Sequence, residues 1–295
     1  MWSGHNLKRI ALAFFAVAIL GSCAARAGSE RHFLWLVAGE HNRVYVMGSF
    51  HLLRPQDYPL ADEIEEAYRD AVALCMEIDV DDTDEGALAF KMLSLARLPP
   101  GASLKTELGE SYPTINSKAR ALGIDLAPLD AFQPWFVALT ASVTQLMKLG
   151  FNPNEGVEKY FQRRATTDHK EICGFETAED QFNLLAGMSV REQAALLTQS
   201  IDELGDVQTQ MNEMLDAWKH GDEKTLRKTA FRQMEQSPEL YKAMIIDRNK
   251  RFAAGIERLL TERRDYLVIV GAGHLVGRDS VLGMLRKDGH RAKQL

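Results

Sequence analysis

The stretch Tyr266-Leu-Val-Ile-Val-Gly-Ala-Gly-His274 constrains this chain more than any other. Its five leading residues are apolar, mostly β-branched or aromatic, and no polar residue interrupts them. A half-exposed strand would alternate, so this run reads as a strand buried on both faces, which places it inside an α/β sheet. Gly271, Ala272 and Gly273 then leave space beside the backbone and deliver His274. Open α/β sheets bind ligands at this place, the carboxyl end of a central strand. The chain repeats the device in Arg43-Val-Tyr-Val-Met-Gly-Ser-Phe-His51. Two strands, each ended by Gly-x-x-His, can aim two imidazoles into one cleft.

The first residues do not belong to that sheet. Lys8-Arg9 is a positive n-region, and Ile10 to Leu20 forms an apolar h-region too short to span a bilayer as a helix. Two processing sites compete. Leu20-Gly-Ser-Cys23 resembles a lipobox with Cys23 as the acylated residue, whereas Ala25-Arg-Ala27 would release a soluble periplasmic protein. Residues 1–27 therefore read as an export signal, and residues 28–295 as one domain. Export to the periplasm, or to the cell envelope on a lipid anchor, is the expectation. Removing Lys8, Arg9 and Arg26 leaves 32 basic against 41 acidic side chains, a formal charge of −9. An acidic surface without basic blocks speaks against nucleic acid as a partner, and against membrane contact other than through such an anchor. Of the remaining cysteines, Cys75 and Cys173 both fall in expected strands, where buried free thiols are at least as common as pairs. Free thiols are the expected state.

Taken in order, the chain reads as a hairpin with a four-residue loop at Gly39–Asn42, a helix over 61–70 and an inner strand over 73–78. Helical pieces follow at 85–97, 104–108 and 113–122, with a short strand expected at Gly123-Ile-Asp-Leu-Ala127. Pro134 opens a helix whose Phe136, Leu139, Val143 and Leu146 form an apolar stripe. After a helix to Thr166 and a strand at 170–174, residues 178–262 are nearly all helical. A returning strand, a helix over 279–287 and a short edge strand close the chain. The pattern predicts an α/β fold: a mixed central sheet with flanking helices and a large helical insertion.

Four residues can carry chemistry: His51, His274, Glu77 and Arg248. Glu77 sits in the apolar run Ala73–Ile78, where an ionised carboxylate needs a partner or a metal. On an expected helix over 239–262, Arg248 shares a face with Tyr241, Ile245, Phe252, Gly255 and Leu259, so its guanidinium points to the core and needs an anion. Arg251 lies nearer the flank. Glu176 reads as a carboxylate at a helix start and nothing more, Asp79 as a reserve carboxylate, and the remaining histidines (His32, His41, His169, His220 and His290) as turn or surface residues.

This set admits two mechanisms. In one, His51, Glu77 and His274 hold a divalent ion with an open position, and Arg248 stabilises an oxyanion. In the other no metal takes part, and a histidine oriented by Glu77 acts as general base on water. A third reading is a binder of haem or another small ligand without turnover. No Gly-x-Ser-x-Gly elbow, His-Glu-x-x-His helix, P-loop or dinucleotide fingerprint is present, which disfavours serine hydrolases, zincins and nucleotide enzymes.

The chain resembles the TraB/GumN family, relatives of the TIKI metalloproteases. The matching segments are Val46-Met-Gly-Ser-Phe-His51, Cys75-Met-Glu77, Gly156-Val-Glu158, Gly174-Phe-Glu-Thr177 with Gln181, Trp218-Lys-His-Gly-Asp222, Asp247-Arg-Asn249 and Val270-Gly-Ala-Gly-His-Leu275 with Gly277. The resemblance implies an active site at the two histidines, Glu77 and Arg248. It also implies hydrolysis of a peptide or small-molecule substrate that depends on a divalent metal, Mn²⁺ or Co²⁺, with Zn²⁺ as a further candidate. The implied fold is shared with erythromycin esterase-like and haem-binding ChaN-like proteins.

Overall fold

The computed structural model describes residues 31–78, 85–231 and 238–295; the leader with Cys23, and Asp79 with the acidic residues after it, lie outside them. Residues Arg31–Leu295 form one compact unit. Six strands, β1 (Leu34–Ala38), β2 (Arg43–Ser49), β3 (Ala73–Ile78), β4 (Glu171–Glu176), β5 (Tyr266–Gly271) and β6 (Ala292–Gln294), make one sheet in the order β4-β3-β5-β2-β1-β6. The neighbours β4, β3, β5 and β2 run parallel; β1 and β6 are antiparallel additions at one side. The mixed sheet has the predicted character, and β5 lies between β3 and β2 with Tyr266–Val270 all buried. Each such fully buried apolar side chain contributes about 1.5–3 kcal/mol, so an unbroken apolar run is stable only in the interior of the sheet.

The helices come as crossovers. α1 (Asp62–Asp70) links β2 to β3, and its acidic first turn meets the positive end of the helix dipole. Between β3 and β4 lie α2 (Glu85–Ala96), α3 (Leu104–Leu108), α4 (Tyr112–Ala121), α5 (Pro134–Lys148) and α6 (Val157–Thr167). Between β4 and β5 lie α7 (Ala178–Ala186), α8 (Val190–Glu203), α9 (Val207–Lys219), α10 (Glu223–Ala230), α11 (Pro238–Tyr241) and α12 (Asp247–Leu260). α13 (Val281–Lys287) follows β5. Among the described residues, no helix is long and apolar enough to cross a membrane.

The helical insertion is double. A second apolar core joins Leu104, Ile115, Val137 and Ala141 of the first helical stretch to Leu197 and Ile201 of the second. This core explains two departures from expectation. Residues 123–127 form no strand, because Ile124 and Leu126 are drawn into the helical core and have no strand to pair with. On α5 the apolar stripe is misplaced: Val137, Ala138 and Ala141 face the second core, Trp135 and Phe136 face a third, and Leu139 is 42% exposed.

Two further expectations are corrected. The helix expected over 239–262 is interrupted by a π-helical turn at Lys242–Ile246, directly before α12. Cys75 and Cys173 are not free thiols but a disulfide, Cα to Cα 4.5 Å. Strand alternation placed each on a strand without revealing that β3 and β4 are neighbours in a register that sets the two side by side.

Candidate active site

Four parallel strands end on the same edge of the sheet, and each brings one part of the site. β2 leads into His51, Glu77 is the penultimate residue of β3, Glu176 ends β4, and β5 ends at Gly271, three residues before His274. A Cβ placed on Gly271 would lie 3.2 Å from Glu77 Oε1, 3.5 Å from His274 Cδ2 and 3.8 Å from His51 Nε2. Both Gly-x-x-His rings therefore converge with Glu77 on one spot, although 223 positions separate them in the chain. α12 supplies Arg248 from above that spot. Gly255 lets this helix approach β4 closely, since a Cβ there would meet the Phe175 ring at 2.5 Å.

The guanidinium of Arg248 is buried and engages three side chains. Its Nη2 donates to Glu77 Oε2 at 2.5 Å and to Glu176 Oε1, its Nε donates to Glu176 Oε1 at 2.9 Å, and its Nη1 lies 3.2 Å from His274 Nε2. The anion that a core-facing arginine demanded is thus a pair of glutamates. Burial alone would raise the pKa of Glu77. The cationic forms of His274 and His51, Arg248 and the Gly271 amide, which donates to Glu77 Oε1 at 2.7 Å, reverse this and hold the group down to about 2. His274 itself is pushed down to about 4, first by burial and with Arg248 adding to it, so near neutral pH the charge facing Glu77 comes from Arg248 and His51.

The histidine tautomers follow from their partners. His274 Nδ1 lies 2.6 Å from Asn249 Oδ1, and Asn249 Nδ2 donates to the Asp279 carbonyl at 2.7 Å, which fixes the amide orientation. Nδ1 is therefore the protonated nitrogen and Nε2 carries the lone pair, aimed at the site. His51 is held on the other side. Its Nδ1 lies 2.8 Å from Glu158 Oε1, and the Ser49 hydroxyl donates to the same oxygen. The Glu158 carboxylate pushes His51 up to about 9, although 63% of the side chain is exposed at the mouth of the site. Glu158, in turn, is lowered: burial opposes ionisation, and His51 with Ser49 outweighs it. A cavity of about 240 Å³ opens beside His51, Glu77, Glu158 and Gln181.

The structure brings His51, Glu77, His274 and Arg248 together, and it corrects three assignments. Glu176 is more than a helix-start carboxylate: Thr177 caps α7, while Glu176 is buried between Arg248 and Arg251, whose Nη2 donates to it at 2.8 Å. Arg251 is accordingly part of the network. Glu77 does not orient either imidazole; Asn249 and Glu158 do. His32 is no surface residue either, being buried with Nδ1 3.1 Å from the Lys219 carbonyl.

Glu158, Asn249 and Gln181 were not singled out by chemical reasoning, since each reads as a surface helix residue in isolation. The signal was the Gly156-Val-Glu158 segment. A Cβ on Gly156 would lie 2.2 Å from the His51 carbonyl oxygen, and the Val157 amide donates to the Phe50 carbonyl at 3.0 Å. Only glycine lets α6 begin against the His51 backbone, and Glu158 then falls beside the ring. Similarly, the Trp218 indole donates to the Gly48 carbonyl at 2.7 Å and anchors the end of β2.

Whether these residues suit a divalent ion can be read from the donors. Two Nε2 atoms turn inward, each ring is anchored through its Nδ1, and a carboxylate lies between them, which is the arrangement of metal-ligating histidines with their supporting partners. As the side chains stand, no three His, Cys, Asp or Glu among the described residues are grouped closely enough to hold an ion. Arg248 bridges His274 Nε2 and Glu77 Oε2 instead, so an ion would take the place of those two hydrogen bonds. The donor set fits the group in kind.

A mixed α/β sheet with paired Gly-x-x-His strand ends over a glutamate and a buried arginine defines the class, and the family follows from comparison. The chain belongs to the TraB/PrgY/gumN family, whose sequence model matches residues 33–294. Similar proteins include the uncharacterised protein YbaP of Escherichia coli (strain K12), 25% identical over 260 residues, covering 86% of this chain and 94% of that one. YbaP of Shigella flexneri is likewise 25% identical, over 262 residues with the same coverage. An uncharacterised protein of Treponema pallidum (strain Nichols) is 20% identical over 288 residues, covering 90% of this chain and 84% of that one. No solved structure matches the chain.

Proposed function

We propose that this protein is an exported hydrolase of the cell envelope that cleaves a peptide or small-molecule substrate with the help of a divalent metal. The supporting observation is the convergence of His51 Nε2 and His274 on Glu77 around Gly271, with both outer ring nitrogens anchored. His51, His274 and Glu77 would hold the ion, which when bound lowers the pKa of a water and polarises a carbonyl. The chain's own residues do the rest. Asn249 keeps the His274 lone pair directed inward, and Glu158 keeps the His51 ring in place. Arg248, freed from part of its pairing, presents N–H donors to the charge that develops on the substrate oxygen. The Cys75–Cys173 disulfide supports the export reading, because such bonds persist in oxidising compartments.

A second reading rests on Arg248, which already neutralises Glu77 and bonds to His274 without an ion. In it His51, held by Glu158, relays the proton: its neutral Nε2 accepts one from the attacking water and then passes it to the leaving group, so the rate rises with pH towards about 9 as the neutral form of His51 grows. One experiment separates the two. The mature protein is assayed on a quenched fluorescent peptide library, then stripped with EDTA and reloaded with Mn²⁺, Co²⁺ or Zn²⁺, with metal content measured in the native protein and in His51→Ala and His274→Ala. Activity lost with EDTA, restored by one ion and absent from both variants is the expected result. Full activity after stripping would leave only the second reading. No cleavage under any condition would sink both.

A further inference from the structure

The side chain of Gln181 on α7 reaches across the site between two carboxylates. Its Nε2 donates to Glu77 Oε2 at 3.2 Å and to Glu176 Oε1 at 2.9 Å. Both neighbours are acceptors bound to guanidinium, so the amide can face them only through its nitrogen, and both of its N–H groups are spent. The carbonyl oxygen is thereby turned away from the two acids. It has no hydrogen-bond partner among the described residues and is not among the buried unsatisfied atoms. Gln181 also lines two hollows at once: the cavity of about 240 Å³ that holds His51 and Glu77, and a recess of about 70 Å³ walled by Leu184, Leu185 and Met244 beside Arg251. A substrate running from one to the other passes Gln181.

We propose that Gln181 is a specificity-determining residue whose carbonyl oxygen accepts a backbone N–H of the substrate, so that the site takes peptides in preference to esters; this rests on the hydrolase reading above. The physical reason is an asymmetry. An N–H over this oxygen is satisfied, whereas an ester oxygen in the same place sets two acceptors against each other. The two carboxylates make the choice rigid, since flipping the amide would press its oxygen against both of them.

The test takes a library peptide that the wild-type enzyme cleaves and replaces its backbone N–H groups by ester oxygen one at a time around the scissile bond. Each version is assayed with the wild type and with Gln181→Met, a variant of similar length without an acceptor. At one position the replacement should lower kcat/KM of the wild type about tenfold and cost the variant little more, the coupling expected for one hydrogen bond. Loss of activity on all versions alike in Gln181→Met would show a merely structural role and overturn the proposal, as would a wild type indifferent to every replacement. Should Gln181→Met fail to fold, Gln181→Leu and the wild-type scan decide on the same terms. A wild type that cleaves esters but no peptide overturns this proposal alone; one that cleaves neither overturns it together with the hydrolase reading.

Discussion

Arg248 stands between Glu77 and Glu176 as the buried cation that both carboxylates share, their other charged neighbours, His51 and Arg251, being exposed. Truncating one member of such a network leaves the others uncompensated, so Arg248→Ala should destabilise the fold by about 3–5 kcal/mol, read as a lower urea midpoint at unchanged slope. A loss below about 1 kcal/mol would contradict the network. Arg248→Lys keeps the charge but cannot span both acids and His274. Its expected outcome is a folded protein with little activity. The second prediction concerns His51. By NMR of the metal-free protein its ring should titrate near 9, and in Glu158→Gln it should fall towards its ordinary 6.5, because the negative charge that holds the proton is gone. The sign for stability follows: a raised histidine pKa gives stabilisation that is complete below 6.5 and lost as pH rises through about 9. The melting temperature of the wild type should therefore drop across that window by more than that of Glu158→Gln.

At the scale of elements, the site depends on how closely helices can approach strand ends. α6 starts on the backbone of His51 because residue 156 is glycine, and the clash that a Cβ would make there is with a backbone carbonyl, which cannot swing away. Gly156→Ala should cost roughly 1–3 kcal/mol and part Glu158 from His51. The check is a lower melting temperature together with a His51 titration shifted down from about 9; an unchanged titration would disconnect α6 from the site. The π-helical turn before α12 belongs to this scale as well. Such turns are enriched at functional sites, and here the turn ends two residues before Arg248, which with Asn249 holds Glu77 and His274. From the sequence, the helical face of Arg248 was legible because Phe252 and Gly255 share it one and two turns on. The π turn was not, since no residue type announces it.

Across the whole molecule, the disulfide closes a loop between residues 98 positions apart and ties β3 to β4, the strands that present Glu77 and Glu176. Cross-links of this kind contribute about 2–4 kcal/mol. Reduction, or the change Cys173→Ser, should therefore lower the unfolding free energy by that amount, and mass analysis of alkylated protein should find the Cys75–Cys173 pair in unreduced material. Alkylated Cys75 or Cys173 in protein that has not been reduced would contradict it. The two helical insertions share apolar cores of their own, one holding α8 and the other the end of α7, the helix that carries Gln181 to the site.

By itself the sequence determined the buried strands and the two histidines at their ends, because a continuous apolar run and a glycine-flanked histidine are local patterns with local causes. It also determined that Glu77 and Arg248 needed partners, since a charge in an apolar setting must be compensated wherever it lies. Only the tertiary structure decided which partners those are. Strand order, parallel register and the approach of α6, α7 and α12 brought Glu158, Gln181, Glu176 and Asn249 to the site and Cys75 to Cys173. Those pairings depend on distances between segments far apart in the chain, and such distances leave no periodic trace in the order of residues.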